Sequence, residues 1–334
     1  MASTKEDLRL FGLNISSLPK PVILIIGVVG IFVSFLLQGT AQETLAVKFH
    51  FNEIIFLTLV QFVSYFLFSS MFIFRVIAKK AKFHAPFYVY LFSGIPLCIS
   101  MFSANISCNH LSYPTQVLFK SSKMVPLMIV GYVFMNKRYS LFEVCSVLLV
   151  TSGLIGISLS DIKAKNTFDS IGLITIFISL ICDAISSNAQ DKLFSTYKCE
   201  QSETIAMTYG IGSLLLLVAS IVSGQLNNGI TACIQNRELS LQVFYFAFLG
   251  AAGVQFVFLL IKSFGSLNAV MVTSLRKAFS ICLSFLMFDN KKFTAFHAAS
   301  IAAIFIGVGL NTLKGKLQKK KEVKSVSEME KKMK

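Results

Sequence analysis

Apolar residues run along this chain in blocks about twenty long, divided by short polar stretches, without the strict alternation of a β-barrel strand. Twenty helical residues rise about 30 Å, the hydrocarbon thickness of a bilayer. The blocks predict ten spanning helices, near residues 21–41, 54–76, 86–105, 113–134, 140–160, 170–191, 204–223, 241–261, 266–288 and 294–314. The fold class expected is an all-α membrane protein.

One block breaks the pattern. The fourth, Tyr113 to Phe134, carries Lys120 and Lys123 inside an otherwise apolar run. Each cation costs roughly 2.5–3.5 kcal/mol near the bilayer centre. Their i, i+3 spacing puts them on one helix face, which must turn to a wet cavity. The ninth block echoes it. A shift of 154 positions lays Lys123 on Lys277, Phe134 on Phe288, the Lys137-Arg138-Tyr139-Ser140 exit on Lys291-Lys292-Phe293-Thr294, and Gly153 on Gly307, with no gap. Arg276 and Lys277 form the second intramembrane pair. The match predicts an internal duplication.

Five spans in each half is an odd number, so homologous halves cross in opposite senses and form two inverted five-helix repeats. The expected organisation is a cytosolic N-terminal segment (1–20), a first repeat (21–160), a second repeat (168–314) and a basic tail (315–334). Lys and Arg set the orientation. With a cytosolic N-terminus, the cytosolic segments hold Lys5, Arg9, Lys20, Arg75, Lys79, Lys80, Lys82, Lys137, Arg138, Lys192, Lys198, Lys262 and the tail. The other side holds few cations, so both termini are expected in the cytosol.

Composition narrows the class further. Of the 334 residues, 54% are hydrophobic and 14% charged, and mean hydropathy is +0.71, unlike a soluble domain. The net charge of +15 is concentrated in part in the tail, so it argues against nucleic acid as a partner. The seven cysteines are scattered with no C-x-x-C, so neither a metal nor a cofactor is expected; a Cys108–Cys233 disulfide on the lumenal side stays open. The residues offer no nucleophile–base pair and no phosphate-cradling glycine loop, so no enzyme is expected.

Other polar positions carry two readings. Gln42 and Glu43 close the first span, and Gln190 and Asp191 close the sixth. They are either interfacial helix ends or a gate lining the cavity. Asp183, deeper in the sixth span, either pairs with one of the four cations or with another group in the bundle. The tail ends Lys331-Lys332-Met333-Lys334. Lysines at positions −3 and −4 match a dilysine retrieval signal, which coat proteins of the early secretory pathway read.

The stretch Tyr113-Pro-Thr-Gln-Val-Leu-Phe-Lys-Ser-Ser-Lys-Met-Val-Pro-Leu-Met with Asn136-Lys-Arg-Tyr139 resembles the nucleotide-sugar transporter family of the drug/metabolite transporter superfamily. Leu260-Ile-Lys-Ser-Phe-Gly265 and Val272-Thr-Ser-Leu-Arg-Lys277 resemble the branch that carries UDP-sugars and the sulfate donor 3′-phosphoadenosine 5′-phosphosulfate (PAPS). Gln116, Phe119 and Lys120, the Leu159-Ser-Asp161 exit, and Asp183-Ala with Asn188 and Gln190 look most like the PAPS carriers. Gly39-Thr-Ala-Gln-Glu in the first span departs from them. The resemblance implies an antiporter of the Golgi or endoplasmic reticulum membrane that exchanges PAPS for 3′,5′-ADP; a UDP-galactose or UDP-glucose exchanger against UMP is the alternative within the family. It implies a substrate site of Lys120, Lys123, Arg276 and Lys277 for the anionic groups, Tyr113 or Phe119 for adenine, and Gln116, Asn188 and Thr273 beside them. The partners expected are the small nucleotide, membrane lipid, coat proteins at the tail, and a second copy in a homodimer. The competing reading from another class is a membrane scaffold of the endoplasmic reticulum that transports nothing.

Overall fold

The computed structural model describes residues 8–11, 13–78, 82–111, 119–160, 169–287 and 299–310. The described residues form a helical bundle, with one two-residue hairpin, Arg9–Leu10 against Leu13–Asn14, ahead of it. The helices are α1 (Lys20–Val47), α2 (Ile54–Ser69), α3 (Met71–Ile77), α4 (Phe87–His110), α5 (Met124–Met135), α6 (Leu141–Ser160), α7 (Ser170–Ser195), α8 (Gln201–Val222), α9 (Gln225–Gln235), α10 (Arg237–Phe264), α11 (Ser266–Met287) and α12 (Ala299–Leu310). Five of them, α1, α4, α7, α8 and α10, are long and apolar enough to cross a membrane, and α2, α5, α6 and α12 contain shorter apolar helices. Their outer faces expose large side chains such as Ile25, Val29, Phe92, Leu214, Val218 and Phe244. A surface that apolar suits lipid and not water.

Each expected span overlaps one helix, with two exceptions in detail. The second is broken at Ser70 between α2 and α3, where the Ser70 hydroxyl donates to Leu67 O at 2.7 Å and competes with the helical ladder. The amphipathic α9 was not expected; Gly229 packs it onto the Phe56 ring. Helix ends follow local chemistry. Glu200 and Glu203 form a capping box at the start of α8, and Asn236 Oδ1 accepts from the Glu238 and Leu239 amides at 3.0 and 3.2 Å to start α10. Gly265, at φ +84°, makes the sharp turn from α10 into α11 that a side chain would strain.

The helices pack in defined pairs: α1 on α10, α4 on α7, α2 on α8, α4 on α8, α2 on α10, α5 on α7 and α1 on α11. Small and hydroxyl residues make these contacts close, as expected where lipid supplies no hydrophobic drive. Ser93 and Thr208 hydroxyls meet at 2.7 Å, and Ser186 Oγ donates to Ser93 O at 2.7 Å. The backbones of α6 and α12 come close. A Cβ on Gly153 would lie 2.5 Å from Ser300 O, and one on Gly307 would lie 2.9 Å from Ser146 O. Ser146 Oγ also donates to Gly307 O at 2.6 Å.

Candidate functional site

The bundle encloses a cavity of about 250 Å³. Lys123 reaches it from the residue preceding α5, Asp183, Ser187 and Gln190 from α7, Gln61 and Tyr65 from α2, and Thr273 from α11. The charges are compensated: Lys123 Nζ stands 3.9 Å from Asp183 Oδ2, with the two side chains 24% and 32% exposed. An opposite charge at that distance lowers the cost of keeping Lys123 in the membrane. Arg276 lies on α11 with its guanidinium 5.5 Å from the Phe35 ring centroid. This is cation–π distance, and Phe35 itself lines the cavity.

The remaining wall is aromatic. Tyr209 meets Phe62 and Tyr65 edge-on, with centroids 4.9 and 4.8 Å apart and rings at 86° and 88°. Phe258 completes it. Gln61 Nε2 donates to the Tyr65 hydroxyl, which also bonds to buried Gln38. The cavity thus offers one cation, a carboxylate, amides and ring faces together, with the Arg276 guanidinium behind its Phe35 wall, a donor set suited to a charged, aromatic solute.

The expected site residues fall into several groups. Lys123, Asp183, Gln190 and Thr273 line the cavity. Gln190 Nε2 donates to Ser186 Oγ at 3.2 Å and Thr273 Oγ1 to Val270 O at 3.0 Å, so both also serve the helices they sit on. Lys120, on the turn before α5, is not among the lining residues. Phe119 turns away and packs edge-on against Phe177, centroids 5.4 Å apart. Asn188 is buried and occupied: its Nδ2 donates to Leu127 O and Ala184 O, both at 3.0 Å, and its Oδ1 accepts from Lys137 Nζ at 3.0 Å. Gln42 and Glu43 sit exposed near the end of α1 and do not reach the cavity; the buried amide of this helix is Gln38, one turn earlier. Tyr113, Gln116, Lys331 and Lys332 lie outside the described residues, as does the side chain of Lys277. Cys233 is free. Tyr65, Tyr209 and Gln61 carried little signal in the sequence, because an aromatic or an amide inside an apolar span reads as ordinary packing.

Ion pairs and hydrogen bonds join helices at both ends of the bundle. At one end Lys137 bonds to Asp191, whose other oxygen accepts from the Ser266 amide at 3.2 Å, joining the α5–α6 connection, α7 and α11. At the same end Arg75 pairs with Glu200, and the buried Glu203 carboxylate accepts from His84 N at 2.8 Å and from the Tyr90 hydroxyl. At the other end Lys48 meets Glu238 at 3.0 Å, and His110 Nδ1 meets Asp169 Oδ2 at 2.6 Å. The His110 hydrogen bond, with help from the Ile171 amide, holds the Asp169 carboxyl below the usual range.

Residues 23–315, nearly the whole bundle, match the UAA transporter family. The chain belongs to that family. It is therefore a membrane carrier and not an enzyme. Among curated relatives, adenosine 3′-phospho 5′-phosphosulfate transporter 2 of Pongo abelii and that of Mus musculus are each 32% identical over 316 residues; these cover 94% of this chain and 78% and 85% of the relatives. The protein of the same name from Caenorhabditis elegans is 32% identical over 315 residues, covering 92% of this chain and 84% of its own. A protein of known crystal structure shares the fold at a TM-score of 0.56 and 12% identity, over 90% of this chain and 99% of that one.

Proposed function

We propose that this protein carries PAPS from the cytosol into the lumen of the Golgi apparatus or endoplasmic reticulum and returns 3′,5′-ADP. The observation that carries the reading is the name shared by relatives aligned over more than nine-tenths of the chain. The cavity chemistry is consistent with it. Lys123 and Arg276 stand for the phosphate and sulfate groups, with Arg as the bidentate partner. The Tyr65, Tyr209 and Phe258 rings are suited to adenine in place of Phe119, and Tyr113 remains part of the proposed site.

At about 250 Å³ the cavity is smaller than the 300–1,000 Å³ of small-molecule sites, so the nucleotide enters only when one end opens. Alternating access follows if the latches release in turn. Substrate anions compete with Asp183 for Lys123, which couples occupancy to the switch.

The same proposal includes ten spans in two inverted repeats, residues 21–160 and 168–314, with both termini cytosolic. Helix pairing supports the repeats. Exchanging the first five spans for the last five turns the α1–α10 contact into α7–α4, α2–α10 into α8–α4, and α1–α11 into α7–α5, and every one of these pairs is in contact. Gly153 and Gly307, equivalent by the 154-residue shift, bury against each other's helices.

The test is exchange in proteoliposomes preloaded with 3′,5′-ADP and, in parallel, with UMP. Uptake of labelled PAPS driven by 3′,5′-ADP supports the reading. Uptake of UDP-galactose driven by UMP alone moves the protein to the UDP-sugar side of the family. Neither exchange, with no thermal stabilisation by nucleotide, favours a scaffold.

A further inference from the structure

Among the described residues, a second hollow is larger than the central cavity. It is a groove of about 660 Å³ on the outer face, between α5 and α6. Val125, Met128 and Ile129 form one wall, and Val144 and Leu148 the other. It runs from the α5–α6 connection down α5 to Val125. Ten residues of helix at 1.5 Å each make about 15 Å, half of a 30 Å hydrocarbon core. The groove therefore matches the depth of one leaflet.

Its mouth carries charge. Arg138 lines it, is exposed, and makes no ion pair among the described residues. Its neighbour Lys137 is already held by Asp191. Glu143 is engaged at the start of α6, where it accepts from the Ser140 amide at 2.8 Å. Tyr132, 65% exposed, stands at the same groove with the amphipathic ring that favours membrane interfaces. The Ser146–Gly307 bond sets the last turn of α12 level with the first turns of α6, so the chain leaves α12 at this end. The sequence that follows holds Lys314, Lys316, Lys319, Lys320 and Lys321.

We propose that this groove binds one anionic phospholipid, its acyl chain along α5 and α6 and its phosphate on Arg138. A planar guanidinium takes phosphate in bidentate fashion, and a fixed positive charge disfavours the ammonium of a zwitterionic headgroup. One basic residue at the surface of an anionic membrane contributes about 1 kcal/mol, which is about fivefold in affinity.

The purified full-length protein is titrated with phosphatidylinositol or phosphatidylcholine of matched chains, reading the melting temperature, and bound lipids are counted by native mass spectrometry. The wild type should prefer phosphatidylinositol about fivefold. Arg138→Gln should remove the preference while keeping weak binding of both lipids. Leu148→Trp should fill the groove and remove one bound lipid; if it folds poorly, the Arg138→Gln comparison decides alone. Equal affinity of the wild type for both lipids overturns the proposal. So does a preference that survives Arg138→Gln, which would move the anionic contact elsewhere, the lysine-rich tail included. Equal stabilisation by free inositol phosphate would also overturn it, since no acyl chain would be required.

Discussion

Replacing Asp183 by Asn should tighten anion binding and slow transport. The substitution keeps the shape of the side chain and removes the charge 3.9 Å from Lys123 Nζ. Two unit charges at that distance attract by about 1 kcal/mol in water and about 4 kcal/mol at an effective dielectric of 20. Both side chains are partly exposed, 24% and 32%, so screening places the interaction in the lower part of that range, about 1–2 kcal/mol. In the empty wild type an arriving phosphate must displace Asp183 and also meets its repulsion. Asp183→Asn relieves both, so affinity for 3′,5′-ADP should rise roughly five- to thirtyfold, at 1.4 kcal/mol per decade. The carboxylate no longer returns to Lys123 when the anion leaves, so release and the maximal exchange rate should fall. The assay is nucleotide-induced thermal stabilisation together with exchange at saturating substrate. Lys123→Gln should lower affinity and rate together. If Asp183→Asn weakens anion binding as Lys123→Gln does, Asp183 holds the substrate directly and the competition argument fails.

Gly153→Val should destabilise the protein by about 1–3 kcal/mol, since a Cβ there meets the Ser300 carbonyl at 2.5 Å and backbone cannot yield; thermal melting in detergent reads it, and a wild-type melting point would show that α6 and α12 are not so close. Lys137→Ala and Asp191→Ala each cut the tie between the α5–α6 connection, α7 and α11. Cysteine-labelling of a reporter in the cavity should quicken in both, and a double variant should add little to either single one. The Asp169 carboxyl is depressed by His110. Its stabilising contribution is present above the unfolded carboxylate value near 4 and is lost as pH falls through the lower folded value. Melting temperature should drop more steeply as pH falls below about 4 in the wild type than in Asp169→Asn; parallel profiles would remove the pair as a source of acid sensitivity.

Much of the helical layout was legible because burying a peptide backbone in lipid demands helices of a set length, and length with hydropathy is written directly in sequence. The two lysines near residue 120 were legible as a cost requiring compensation. Only packing could say which is compensated: Lys123 reaches Asp183, and Lys120, three residues earlier, does not line the cavity. Of the two readings open for Gln42 and Glu43, their exposed place near the end of α1 fits interfacial helix ends, whereas the buried amide Gln38 differs from them only by helix phase, which a weakly amphipathic span does not fix. Asn188 reads as a ligand in sequence, yet the space between α5 and α7 leaves two carbonyls that need its amide. The break at Ser70 and the helix α9 depend on single hydroxyl and glycine contacts that hydropathy averages away.

The central claim is that Lys123 is an anion-binding cation of a PAPS/3′,5′-ADP exchanger. Its most direct test is uptake of labelled PAPS into proteoliposomes preloaded with 3′,5′-ADP, wild type beside Lys123→Gln at matched, folded protein density. Robust exchange by the wild type and a loss of a hundredfold or more in the variant is the predicted result. Exchange within twofold of wild type in Lys123→Gln would contradict the account.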